Sequence, residues 1–241
     1  MLVEDLRAHH LRGLFILAAA IVIVFILWNV PQVSFLLYPF RLFVTYVHEA
    51  GHGLAAILTG GQFLGFEVYS NGAGEAATAG GLRAVILPAG YLGAALFGAV
   101  LFYLTNRLRQ TRAIAAALGL LLIAFSLLFG RFASTALIVG LAFGLTLFLL
   151  AWNASALLNA LVLNILALMT GLNAVLDLWI LANNSAITAN GGTLRNDAAA
   201  FSADVFPLVP PAVWALVWAV LAVLMLGLAA WYSVVRPLRR G

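Results

Sequence analysis

The 241-residue sequence has no cysteine and no lysine, and only 8% of its residues are charged. Without cysteine there is neither a disulfide framework nor a thiolate metal site. The scarcity of charge excludes an ordinary soluble domain, in which about 25% of residues are charged. It also excludes a disordered chain, which is polar and charge-rich. Hydrophobic residues make up 65% of the chain, more apolar surface than a chain of this size can hide from water. The remaining class is a multi-span membrane protein. The apolar runs are continuous rather than alternating, which argues against an outer-membrane barrel. The formal net charge of +4 would suggest a nucleic-acid partner in a soluble protein. Here the arginines sit at the ends of apolar runs, where basic residues orient a membrane protein, and no nucleic-acid partner is expected.

Apolar runs occupy roughly residues 13–30, 35–58, 83–104, 112–130, 132–151, 155–183 and 209–235. Each is long enough to cross a ~30 Å hydrocarbon core as a helix. The expectation is an all-α polytopic membrane protein of six to seven spans, forming a single integral domain over 1–241. The lipid bilayer is the expected surroundings. Two connections, 59–82 and 184–208, are longer and less apolar, and counting spans puts both on the same side. Five arginines (7, 12, 83, 131, 195) fall on that side and seven (41, 107, 109, 112, 236, 239, 240) on the other. The rule that basic loops stay inside favours the second side as cytoplasmic. In 59–82, QFLGFEVYS alternates partly between apolar and polar residues and NGAG signals a turn. A short β-hairpin or a re-entrant loop is one reading of this segment, and a plain exposed loop is the other.

Of four histidines, His9 and His10 lie in the polar N-terminal tail; His48 and His52 lie in the second apolar run, with Glu49 between them. The pattern is H-E-x-x-H. Residues i and i+4 stand one turn apart on one helical face, so both imidazoles can reach one metal ion. Zinc takes histidine nitrogens at about 2.0–2.1 Å, and a catalytic site keeps one position open for water. Glu49 is placed to act as general base on that zinc-bound water without being a ligand. The alternative is a polar cluster that only packs helices. Ionisable groups are costly inside a membrane and tend to be functional there, and three within five residues favour the metal.

With no cysteine and no further histidine in a run, the third ligand should be a carboxylate. Asp177 is the expected one. Ser155, Asn159, Thr170, Asn173 and Asp177 fall on roughly one helical face at 100° per residue. His52 and Asp177 each lie six residues before the same-side ends of their runs. The competitor is Asp197 in RNDAAAFSAD, where Asn196 and Asp197 look like the capped start of a short amphipathic helix.

The segment HEAGHGLAAILTGG (48–61) resembles the site-2-protease family of intramembrane zinc metallopeptidases, closest to its small bacterial B-like branch. Looser support comes from PAGYLGAALFG (88–98), the Asp177-Leu178 step, NDAAAFSA (196–203) and PPAVWALVW (210–218). The resemblance implies a zinc site within the bilayer, His48 and His52 as ligands, Glu49 as base, a transmembrane protein as substrate, and a bacterial cytoplasmic membrane as the location. Better-known members carry their third ligand in an asparagine–proline…aspartate–glycine motif. Here Asn173 precedes Asp177 by four residues with no proline between, and Leu178 stands in the glycine position. The expected function is therefore a zinc-dependent intramembrane endopeptidase. Two rivals stay open: a catalytically silent metal-binding membrane scaffold, and a small transporter or proton relay using Glu49 and Asp177.

Overall fold

The computed structural model describes residues 2–108, 110–183, 188–189, 192–193 and 196–238, with side chains over 14–108, 110–183 and 196–237. The side chains of Arg7, Arg12, Arg109, Arg195, Arg239 and Arg240, used in the orientation expectation, lie outside that set, as do those of His9 and His10.

The chain is a helical bundle with a small two-stranded sheet placed against it, and a second, shorter strand pair, Thr188–Ala189 with Gly192–Thr193, follows the sixth helix. Helix α1 (Leu2–Asn29) ends before Pro31, a short 3-10 turn (Pro31–Leu36) follows, and α2 (Leu37–Leu58) leads on. Proline cannot donate a backbone N–H and stops α1. The segments 14–29 and 31–58 meet at 106°. Then come α3 (Arg83–Arg107), α4 (Thr111–Phe129), α5 (Thr135–Asn153) and α6 (Ala156–Asn183). A short helix, α7 (Asp197–Asp204), precedes α8 (Pro211–Ala230). Among the described residues, five helices are long and apolar enough to cross a membrane, or six counting the bent pair as one span. The protein is thus an all-α polytopic membrane protein, with the first two apolar runs joined in one sharply broken unit.

Helix α3 packs against α2, α6 and α8, so it is the bundle's centre. Close approach comes from small residues, as is usual where lipid supplies no hydrophobic drive between helices. A Cβ on Gly98 would collide with the backbone of Gly171 on α6. Ala94, Ala95, Leu163, Leu166 and Leu178 are among the buried residues of this core.

The 59–82 connection is a β-hairpin. Helix α2 stops in a Schellman turn: the Gly60 N–H donates to Ile57 O at 3.1 Å and the Gly61 N–H to Ala56 O at 2.8 Å. Gly60 takes φ +83°, the left-handed conformation such a turn requires. Strands β1 (Gln62–Val68) and β2 (Gly74–Ala79) pair antiparallel, with Glu67 opposite Glu75 and an irregularity between Phe63 and Gly65. Phe63, Phe66 and Val68 of β1 are buried in the core, which fixes which face turns inward. The outer side of β1 bridges to Gly130 through Phe66. Among the described residues nothing pairs with the outer edge of β2.

Helix α2 holds the hairpin's turn. Tyr38 Oη donates to Ser70 O at 3.0 Å and Thr45 Oγ1 to Gly72 O at 2.8 Å. Tyr38, Thr45 and Glu49 follow one another along one face of α2 at helical spacing. The hairpin therefore lies along the helix that carries the H-E-x-x-H motif.

Candidate metal centre

His48, Glu49 and His52 occupy consecutive turns of α2, which α3 approaches closely. A Cβ on Gly51 would strike the Ala89 carbonyl of α3. That proximity sets the histidine geometry. His52 Nδ1 lies 2.7 Å from Ile86 O, a carbonyl of the first turns of α3. A carbonyl only accepts, so Nδ1 carries the proton and Nε2 presents its lone pair. This is the outer-shell arrangement that orients a metal-binding histidine.

Helix α7 delivers a carboxylate to the same point. Asn196 Oδ1 accepts from the Ala199 N–H at 2.8 Å and caps the helix, leaving the next side chain, Asp197, free to turn inward. Asp197 Oδ2 lies 3.1 Å from His48 Nε2 and 3.3 Å from His52 Nε2, and the two nitrogens are 3.0 Å apart. Three corners of a tetrahedron with ~2.0–2.1 Å bonds are about 3.3–3.4 Å apart. The triangle is thus the right size, to within a few tenths of an ångström, for one zinc-sized ion. Among the described residues, His48, His52 and Asp197 form the group able to hold a metal ion. Burial by itself would raise the Asp197 carboxyl, but His52 and His48, when they carry the imidazolium charge, outweigh it and hold the group well below the usual carboxylate range.

Helix α7 is pinned by contacts away from the site. Phe201 packs edge-on against Trp214 and Trp218 of α8, with ring centroids 4.6 and 5.4 Å away. Asp204 pairs with Arg83 at the start of α3 at 2.5 Å.

Glu49 is 6% exposed and His52 7%. Both face a cleft of ≈ 1280 Å³, lined also by Tyr91, Asp177, Asp197 and β2 from Gly74 to Ala76. Strand β2 passes over Glu49, so a Cβ on Gly74 would collide with its carboxylate. No hydrogen-bond donor among the described residues engages that carboxylate, so it is available as a proton acceptor.

Of the carboxylates singled out in the sequence, the structure brings Asp197, the competitor, to the histidine pair. Asp177 lines the same cleft, but its Oδ2 accepts from Asn173 Nδ2 one turn earlier on α6 at 2.7 Å, and it is not in the metal-binding group.

The family model described as Peptidase M50B-like matches residues 17–229. The chain belongs to the Peptidase M50B-like family. The match covers the stretch from α1 into α8 and with it every element that builds the centre, and it supports the site-2-protease resemblance. M50 peptidases are metallopeptidases, which agrees with a cluster able to hold a metal ion. No curated protein and no solved structure matches significantly.

Sequence reasoning missed Gly90. A Cβ there would collide with Nε2 of both His48 and His52. The signal available was the GxxxG-like run of small residues after Pro88, which reads as helix packing without naming its partner. Gly90→Ala is expected to keep α3 helical, since alanine favours helix, yet to weaken metal binding at least ~10-fold, the scale of disturbing a ligand's surroundings. Bound metal after dialysis, with circular dichroism as the fold control, measures this.

Proposed function

We propose that the chain is a zinc-dependent intramembrane endopeptidase of a bacterial cytoplasmic membrane, acting on membrane-embedded protein substrates. The observation that carries this reading is the triangle of His48 Nε2, His52 Nε2 and Asp197 Oδ2 beside a buried Glu49 whose carboxylate no described donor engages. In this reading His48, His52 and Asp197, rather than Asp177, hold the metal. Zinc bound there would acidify a coordinated water and polarise the scissile carbonyl. Glu49 takes a proton from the attacking water and passes it to the departing amine. The water's oxygen ends on the acyl carbon, the C–N bond breaks, and a carboxylate and an amine leave.

A helical substrate must unwind before its peptide bonds are reachable. The outer edge of β2 runs past Glu49 and, among the described residues, offers unpaired backbone groups to an extended segment, the geometry of strand addition. Such an edge is tolerated at membrane depth only inside protein or a watered cavity, and the cleft supplies that surrounding.

The catalytically silent scaffold is disfavoured because the described cluster supplies three ligands, not four. The transport reading does not require two histidines and a carboxylate to converge on one point.

The test is cleavage of a quenched-fluorescent peptide library by the full-length protein in detergent micelles. About one zinc per chain is expected, with cleavage lost to a chelator and restored by zinc. Protein without bound metal, or cleavage indifferent to chelation, overturns the reading.

A further inference from the structure

Amide hydrolysis places negative charge on the carbonyl oxygen as water adds, and the largest catalytic contribution comes from donors aimed at that charge. The carboxylates lining the cleft, Glu49, Glu75, Asp177 and Asp197, are acceptors when ionised. Several of the cleft's donors are committed elsewhere: Thr45 to Gly72 O, Tyr69 to Glu75, Arg83 to Asp204.

Tyr91 differs from these. It follows Gly90 on α3, and its ring stands edge-on to His48 with centroids 4.4 Å apart and planes at 79°. The residue is half-buried and lines the cleft. Its side chain shares the cleft with Asp197, Asp177 and Glu49. No described residue accepts its O–H. A tyrosine hydroxyl removed from bulk water normally finds a partner. One that no described residue engages, in this cleft and on a ring touching His48, is open to a ligand bound there.

We propose that Tyr91 is a catalytic residue: its O–H donates a hydrogen bond to the scissile carbonyl oxygen as negative charge develops there. No proton is transferred; the phenol acts as a fixed donor. This rests on the peptidase reading above. A purely structural Tyr91 would only buttress the His48 ring, and a plain phenyl ring would do that equally well.

The deciding variant is therefore Tyr91→Phe, which removes one oxygen and keeps the ring. Zinc content and the visible spectrum of the cobalt(II)-substituted protein are expected to match the wild type. Against the peptide library, kcat is expected to fall by about 10²-fold, the scale of losing one oxyanion donor, with KM unchanged. A phosphinic peptide, whose anionic oxygen stands in for the charged carbonyl oxygen, is expected to bind more weakly by a similar factor. Equal turnover or equal phosphinate affinity in the two proteins overturns the role. So does a changed cobalt spectrum, which would mark Tyr91 as a support for His48. A wild type that binds zinc and phosphinate yet cleaves no peptide overturns the peptidase reading instead, while the affinity difference still decides on Tyr91.

Discussion

Replacing Asp197 with alanine is expected to lower zinc affinity by more than ~100-fold and to abolish cleavage. Disturbing a ligand's surroundings alone costs about 10–100-fold, and here the ligand itself is removed. The same substitution at Asp177 should leave zinc at about one per chain. The contrast follows from position: Asp197 Oδ2 is 3.1 and 3.3 Å from the two Nε2 atoms, whereas Asp177 is engaged by Asn173. Asp197 is also the first residue of α7, and its truncation could loosen that helix. Asp197→Asn controls for this. It keeps the shape and the first-turn position, but its amide is a neutral and weaker ligand, so zinc should again be lost from a folded protein. Metal analysis and circular dichroism on the four proteins decide the matter. Zinc kept by Asp197→Ala and lost by Asp177→Ala would return Asp177 to the ligand set.

Glu49→Gln separates metal binding from chemistry. Glutamine has nearly the same volume, and Glu49 is not among the grouped ligands, so zinc should be retained. Turnover is expected to fall by about 10²–10⁴-fold, the range for losing a general base. The site can accept glutamine because no described donor depends on the carboxylate. The substituted amide faces the cleft under Gly74 as the acid does. The measurement is kcat on the peptide library at equal zinc loading. A Glu49→Gln protein as active as the wild type would remove the base from the mechanism; one that has lost its zinc would make Glu49 part of the metal centre.

Legibility in the sequence followed the range of the interactions. The His48–Glu49–His52 arrangement was readable because helical periodicity is local: four residues make one turn whatever else the chain does. The hairpin was readable for the same reason, from the alternation in QFLGFEVYS and the Asn71-Gly72 turn. The first two apolar runs were readable as helices, but not their 106° junction, which depends on how α1 and α2 each pack. Asp177 was preferred over Asp197 on helix phase and depth, properties of a single helix. The choice lies instead in how α7 docks, through Phe201 on α8 and Asp204 on Arg83. Those partners are 13 and 121 residues away in sequence. Gly90 and Tyr91 were hidden likewise: within α3 they read as packing residues, and only the contact with α2 sets one against the histidine nitrogens and the other on the His48 ring.

By itself, then, the sequence determined the solvent, the helical class and the pair of histidines with their glutamate. Composition decides partition into a bilayer, and i,i+4 spacing survives any packing. Tertiary structure alone decided which carboxylate completes the triangle, which strand overhangs Glu49 and which tyrosine stands against His48. Each depends on helices far apart in the chain approaching within a few ångströms, and that approach is set by small residues and docked aromatic rings whose partners no local pattern records.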